Sequence, residues 1–306
     1  MNNSPEKQLN LYGLKKNFNE LVYLYDQKKL PNKILLSGQK GIGKCTLAYH
    51  LVNYILSKEE DFSYNLDQNI INEKNRSFKL IQNKSSLNFI LIDILSGKKK
   101  IDISQIRDLI SNLNKSSLNT KPRLILIDNI QYLNINAVNA LLKVIEEPNE
   151  NIFFILINSI NNLIPTLKSR CLDFKISLSN YNSIEICNKL LQKNISDLIN
   201  KELLDYYISP GKIINLIKFS EENSIDLKEI ELKEFLLLII EKGYHKKDDS
   251  IKNIFYELFE LFLINNISLQ YQNFYHDFIY QFNDMKKYNL DDEILLMKIK
   301  NEILNG

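Results

Sequence analysis

Short apolar runs and amphipathic stretches alternate along the first part of the chain. Runs of three to five apolar residues bounded by polar ones are typical of strands buried on both faces of a sheet. The runs that predict strands are Ile34–Leu36, Phe89–Asp93, Leu124–Asp128, Phe153–Ile157 and Leu172–Ile176. The stretches that predict helices between them are Asn19–Lys28, Leu47–Leu56, Ile103–Leu113, Asn136–Glu147 and Leu163–Lys168. This alternation predicts an α/β fold with a parallel sheet covered on both faces.

After Ile176 the strand pattern ends and only helical patterns remain. Residues 180–222 predict a small helical bundle with a break at Ser209-Pro210-Gly211, and residues 226–306 are helical again. Residues 57–88 are polar and irregular, so that only a short helix over Phe78–Ile81 is expected there. The pattern therefore predicts a part that contains the sheet, followed by two helical parts.

A glycine-rich loop connects the first predicted strand to the helix that follows it. Gly38, Gly41 and Gly43 precede Lys44 in the order expected of a phosphate-binding loop. Glycine lets the backbone curl so that its N–H groups point at phosphate oxygens, and the lysine places a cation on the outer phosphates. From the residues alone, bound ATP or ADP and a structural remnant without nucleotide are both open.

Two positions around this loop are unsuited to ATP hydrolysis. Cys45 follows the lysine where a Ser or Thr hydroxyl normally holds Mg²⁺, and a thiol is a poor ligand for a hard cation. Asp128 ends the third strand where a nucleotidase holds Mg²⁺, but the next residue, Asn129, cannot act as a base. We therefore expect no hydrolysis by this chain. The alternative is an active ATPase in which Thr46 supplies the missing hydroxyl, and a small-molecule P-loop kinase is a third hypothesis.

Two further segments carry a family resemblance. Residues 139–148 read Asn-Ala-Leu-Leu-Lys-Val-Ile-Glu-Glu-Pro, and residues 165–171 read Pro-Thr-Leu-Lys-Ser-Arg-Cys. Both segments resemble motifs of the AAA+ subunits of bacterial DNA polymerase III clamp loaders. The resemblance implies a P-loop AAA+ domain over 1–175, a helical lid over 176–222 and a helical collar domain that forms oligomers over 223–306.

Clamp loaders contain an ATP-hydrolysing gamma/tau subunit and a similar delta prime subunit that does not hydrolyse ATP. Gamma/tau subunits have Thr where this chain has Cys45, and Asp-Glu where it has Asp128-Asn129. They also carry an arginine in the lid that senses the nucleotide, and Gly211 occupies the matching position here. All three departures favour the delta prime kind, and an active gamma/tau-like ATPase is the alternative.

The resemblance also implies a role and partners. Arg170 is expected to act in trans as an arginine finger, which contacts the nucleotide of the neighbouring subunit. Gamma/tau and delta are the expected partners in a hetero-pentamer that loads the sliding clamp onto primer–template DNA. The chain would be part of the DNA polymerase III holoenzyme without polymerase or ATPase activity of its own. Asn158, at the end of the fourth strand, is either a γ-phosphate sensor or a strand cap.

Composition limits the other classes of function. The net charge of +2 does not indicate a nucleic-acid binder, and Lys98, Lys99 and Lys100 are better explained as a solvated turn than as a DNA contact. Three distant cysteines indicate neither a disulfide framework nor the four-cysteine zinc module of many family members, so no metal and no required cofactor are expected. No run reaches the roughly 20 apolar residues of a membrane span. A cytoplasmic location, at a nucleoid-associated replisome, is expected.

Overall fold

The computed structural model describes residues 4–114, 119–146, 151–159, 165–205, 207–265, 276–282 and 293–304. The chain divides into two compact units, Met1–Leu178 and Ser179–Gly306. The first unit contains the sheet, and every described element of the second unit is helical. The predicted α/β class followed by a helical part is therefore confirmed.

The first unit is built on a five-stranded parallel sheet. Its strands are β1 (Lys33–Ser37), β2 (Phe89–Ile92), β3 (Arg123–Ile127), β4 (Ile152–Asn158) and β5 (Leu172–Lys175). Their order across the sheet is β2-β3-β4-β1-β5, and each neighbouring pair is parallel. All five predicted strands are present. The inner strands β1, β3 and β4 are largely buried and leave continuous apolar runs in the sequence, whereas the edge strands β2 and β5 are partly exposed. The carboxyl ends of β1, β2 and β3 lie at one edge of the sheet, where a parallel α/β fold places its ligand site.

Six helices accompany these strands. They are α1 (Lys15–Asp26), α2 (Lys44–Ser57), α3 (Arg76–Gln82), α4 (Ile103–Leu113), α5 (Ile135–Glu146) and α6 (Pro165–Lys168). The prediction placed the starts of α1 and α2 too late, because the apolar spacing begins about one turn after the helical backbone does. The bounds of α4 are as predicted, and Gln105 accepts a hydrogen bond from the Asp102 N–H at 3.2 Å. Glu147, Leu163 and Ile164, at the ends of two predicted helices, lie outside the described residues.

The segment 57–88 is organised by polar contacts, which the sequence pattern did not predict. The carboxylate of Glu60 accepts hydrogen bonds from the Ser77 hydroxyl at 2.6 Å, the Ser77 N–H at 3.1 Å and the Lys121 ammonium at 3.0 Å. Asn75 caps α3 by accepting from the Phe78 N–H at 2.8 Å. The segment also binds the beginning of the chain, since the Ile71 N–H donates to the Leu9 carbonyl at 2.9 Å.

The second unit contains helices packed around one apolar core. They are α7 (Asn180–Leu191), α8 (Lys201–Leu204), α9 (Pro210–Asn223), α10 (Leu232–Glu241), α11 (Tyr244–Lys247), α12 (Asp249–Asn265), the helical residues 276–282 and α13 (Glu293–Lys298). A π-helical turn, Ile299–Leu304, follows α13. A single buried cluster extends from Cys187 to Leu304 and includes residues on both sides of position 222. The division into domains at 222 stays a prediction.

Candidate nucleotide site

The three loop glycines all have positive φ angles, as a phosphate-binding loop requires. Their φ angles are 148° at Gly38, 85° at Gly41 and 93° at Gly43. A Cβ atom added at Gly38 would lie 2.2 Å from the Ile176 carbonyl oxygen. The loop therefore has the curled backbone that directs N–H groups towards an anion at the start of α2.

Lys44 is the first residue of α2 and is only 4% exposed. Its ammonium donates to the Gly38 carbonyl at 2.8 Å and to the Gln39 carbonyl at 2.6 Å. Burial lowers the pKa of Lys44 to about 8, although the nearby Asp128 carboxylate acts in the opposite direction. An ammonium has three N–H donors, so two bonds to its own loop leave one donor for a phosphate oxygen.

Cys45 and Asp128 contact each other at the position where an ATPase holds Mg²⁺. The pKa of the Cys45 thiol is raised well above its usual value by burial and by the neighbouring Asp128 carboxylate. The pKa of Asp128 is also raised, by burial and by Asp93, despite the opposing effects of Cys45, the Asn129 N–H and Lys44. A neutral thiol is a poor ligand for a hard divalent cation.

Asn129, which the sequence analysis compared with the water-activating carboxylate of ATPases, bridges two strand ends. It has a left-handed backbone, with φ of 56°. Its N–H donates to Asp128 Oδ1 at 2.7 Å, and its side-chain amide donates to Asp93 Oδ1 at 2.9 Å. This arrangement holds an amide, which cannot accept a proton from water, between two carboxylates.

Asp93 belongs to the same cluster, although the sequence analysis gave it no role. It follows β2, and its backbone carbonyl accepts a hydrogen bond from the Gln105 side chain at 2.9 Å. The available signal was a carboxylate placed directly after a buried strand, because neighbouring parallel strands end at one edge of the sheet.

Other predicted positions are present without a demonstrated role. Asn158 is buried at the end of β4 and is paired in register with Ser37 of β1. Thr46 lies in the first turn of α2 and is half-buried. Lys98, Lys99 and Lys100 are exposed, and the Lys98 ammonium lies 3.7 Å from an Asp102 carboxylate oxygen. The structure therefore agrees with a solvated turn for the lysines, and the sensor role of Asn158 stays a prediction.

Arg170 follows α6 and is held by residues other than those of the loop. Its Nε donates to Glu146 Oε1 at 2.9 Å, and its Nη2 lies 2.8 Å from the same oxygen. Its Nη1 donates to the Thr166 carbonyl at 3.0 Å. The side chain is 36% exposed. The structure thus brings Lys44, Cys45 and Asp128 together and places Arg170 in a separate cluster with Glu146, which sequence reasoning did not single out.

Gly211, which the resemblance matches to the lid arginine of gamma/tau subunits, lies in the second unit. Gly211 is in the first turn of α9, and the adjacent cation, Lys212, contacts both carboxylate oxygens of Glu257 on α12, at 2.6 and 2.7 Å. Lys212, the cation next to Gly211, is therefore paired with a carboxylate of the same unit.

Neither a metal-binding cluster nor a membrane-spanning helix is present in the described residues. Within the described ranges, no group of three or more His, Cys, Asp or Glu residues is placed to hold a metal ion. No helix in the described part of the chain is long and apolar enough to cross a membrane. The absence of zinc and the cellular location stay predictions.

Comparisons with known proteins find relatives of two kinds. The chain is 31% identical over 212 residues to DNA polymerase III subunit gamma of Buchnera aphidicola subsp. Schizaphis graminum, which covers 65% of this chain and 55% of that protein. It is 26% identical over 264 residues to DNA polymerase III subunit delta' of the same organism, which covers 77% of this chain and 73% of that protein. The chain spans about half the length of the first relatives that it matches.

A solved structure and a family model complete the comparison. A DNA polymerase III gamma subunit-related protein of Thermotoga maritima superposes with a TM-score of 0.53 and 19% identity, over 91% of this chain and 96% of that one. This likeness and the sheet order show the AAA+ fold that the resemblance implied. A family model described as DNA polymerase III, delta subunit matches residues 13–180. Because that match covers more than half of the chain and includes both the loop and Arg170, the chain belongs to this DNA polymerase III delta subunit family of clamp-loader proteins.

Proposed function

We propose that this chain is a delta prime-like clamp-loader subunit that does not hydrolyse ATP. Its Arg170 would act in trans as an arginine finger at the active site of a neighbouring ATPase subunit. The observation that carries the proposal is the cluster of Cys45, Asp128 and Asn129. A thiol beside Asp128 stands in place of the hydroxyl ligand of Mg²⁺, and an amide that donates to Asp93 stands in place of the general base. The loop keeps the backbone form of a phosphate-binding loop, but the Mg²⁺ ligand and the general base are both replaced. This combination favours a subunit that does not hydrolyse ATP.

The proposed partners follow from this role. Gamma/tau and delta subunits would complete a hetero-pentamer that places a sliding clamp on primer–template DNA. The neighbouring subunit would bind ATP, and Arg170 would stabilise the charge that develops on the transferred phosphoryl group. A guanidinium suits this task because it keeps its charge and presents several donors in one plane.

An active gamma/tau-like ATPase is the second candidate. Asp93 favours it, because this carboxylate lies beside Asp128 at the same sheet edge and is hydrogen-bonded to Asn129. In that case the isolated chain would hydrolyse ATP with Mg²⁺, and Lys44→Ala and Asp93→Asn would each abolish turnover. The delta prime proposal expects no turnover that depends on Lys44.

The decisive experiment uses the ring reconstituted with its ATPase subunits, delta, clamp and primed DNA. In a pre-steady-state assay, Arg170→Ala should slow the hydrolysis of about one ATP per ring by ~10³-fold. This is the ATP bound at the site that Arg170 completes. Arg76→Ala, which removes an exposed arginine from the first turn of α3, is the matched control. An assembled ring whose burst is unchanged by Arg170→Ala would remove the proposed role.

A further inference from the structure

The side chains of Glu146 and Arg170 contact each other, and the proposed function assigns no role to Glu146. We infer that Glu146 is a positioning residue, which fixes the Arg170 guanidinium in the orientation required at the neighbour's phosphate. This inference rests on the proposed finger role of Arg170 and deepens it.

The contacts fix the guanidinium plane from two directions. Nε and Nη2 both approach Glu146 Oε1, at 2.9 and 2.8 Å, so that one edge of the group faces the end of α5. Nη1 donates to the Thr166 carbonyl at 3.0 Å, which anchors a second side to α6. Nη1 also donates to Ser169 Oγ at 3.5 Å. A guanidinium has five N–H donors in one plane, so these contacts leave one N–H, on Nη2, for a phosphate.

The position of Glu146 argues against a role in stabilising its own helix. Glu146 lies in the last described turn of α5, two residues before Pro148 in the sequence, and the helix dipole disfavours a carboxylate near the carboxyl end of a helix. The pair is also partly exposed, at 36% for Arg170 and 50% for Glu146, and exposed ion pairs contribute little to stability. Orientation of the guanidinium is the effect that remains, because a rigidly held donor avoids the cost of ordering a long side chain at each turnover.

The test is a double-mutant cycle in the reconstituted ring. Glu146→Ala should slow the ATP hydrolysed at the adjacent site by about 10- to 100-fold, since a misplacement of about 1 Å can cost that much. ATP affinity and ring assembly should not change. Glu146→Gln keeps an acceptor oxygen and should restore part of the rate. Glu146→Ala should have no further effect in an Arg170→Ala background, because Glu146 acts only through Arg170.

A matched control is available in another exposed ion pair. Glu185 contacts Lys189 four residues away on α7, and Glu185→Ala should leave the rate unchanged. If Arg170→Ala slows the ring and Glu146→Ala does not, the positioning role is refuted while the proposed function stands. If neither variant changes the rate, both fail. A faster ring with Glu146→Ala would mean that Glu146 restrains Arg170, which also overturns the inference.

Discussion

At the residue scale, Gly38 lies where no side chain fits. Its φ of 148° belongs to a region that side chains disfavour, and an added Cβ would meet the backbone oxygen of Ile176 at 2.2 Å. Backbone atoms move less easily than the end of a flexible side chain. The contact therefore couples the loop to the residue that follows β5, so that packing alone requires a glycine here.

Gly38→Ala should destabilise the chain more than Gly97→Ala does. Gly97 also has a positive φ, of 76°, but an added Cβ there meets nothing within 4 Å. Gly97→Ala should therefore cost only the backbone term, about 1 kcal/mol. Gly38→Ala should cost at least twice as much, because the steric contact adds to it. Thermal unfolding followed by circular dichroism measures both, and equal losses would show that the loop relaxes freely around residue 38.

The residues of the candidate site were predictable to the extent that they are close in sequence or end a strand. The spacing of Gly38, Gly41 and Gly43 before Lys44 indicates the loop, because the motif and its chemistry are local. The partners Asp93 and Glu146 were missed. They reach their contacts through the fold, since 36 residues separate Asp93 from Asn129 and 24 separate Glu146 from Arg170.

At the element scale, the segment 57–88 shows where periodicity loses its predictive value. The strands leave apolar runs because their faces are buried, whereas this segment is held by hydrogen bonds from Ser77, Lys121 and Asn75. Such bonds depend on side chains that are distant in sequence and have no fixed spacing. The sequence therefore predicted only the short helix over Phe78–Ile81, which lies within α3, and not the pairing of the segment with the chain near Leu9.

Glu60→Gln should destabilise this segment by about 2 kcal/mol, because it weakens the bonds from Ser77 and Lys121 to a charged acceptor. Hydrogen exchange of the α3 amides is the direct measurement. Glu59→Gln is the matched control, because the Glu59 side chain is exposed. Its effect on the free energy of unfolding should lie within about 0.5 kcal/mol.

The pH dependence of stability is a second measurement of the effect of Glu60→Gln. Burial alone would raise the pKa of Glu60, but the hydrogen bonds from Ser77 and Lys121 outweigh it, and the pKa lies below its ordinary value of 4.5. The carboxylate therefore stabilises the folded chain fully above that value, and this contribution is lost as pH falls through the folded-state pKa. Glu60→Gln should lack this part of the acid sensitivity. An unchanged acid profile would mean that the network contributes nothing.

At the scale of the whole molecule, the second unit raises the question of how many domains follow the sheet. The sequence predicts a break near residue 222. Across this position, the Lys212 ammonium donates to Glu257, and the Asn215 side-chain amide donates to Ser250 Oγ. The buried core is also shared across this position. These contacts favour cooperative unfolding of residues 179–304.

Phe255→Ala tests that cooperativity. Phe255 is fully buried in α12, so its truncation should cost about 3–5 kcal/mol through lost burial and the cavity left behind. If the second unit unfolds as one body, hydrogen exchange in α7 and α9 should accelerate by the same factor as exchange in α12, because all three share one opening reaction. Tyr280→Ala, at a residue that is 71% exposed, should leave all three helices protected. Acceleration confined to α12 would instead support separate lid and collar domains, with a hinge near residue 222.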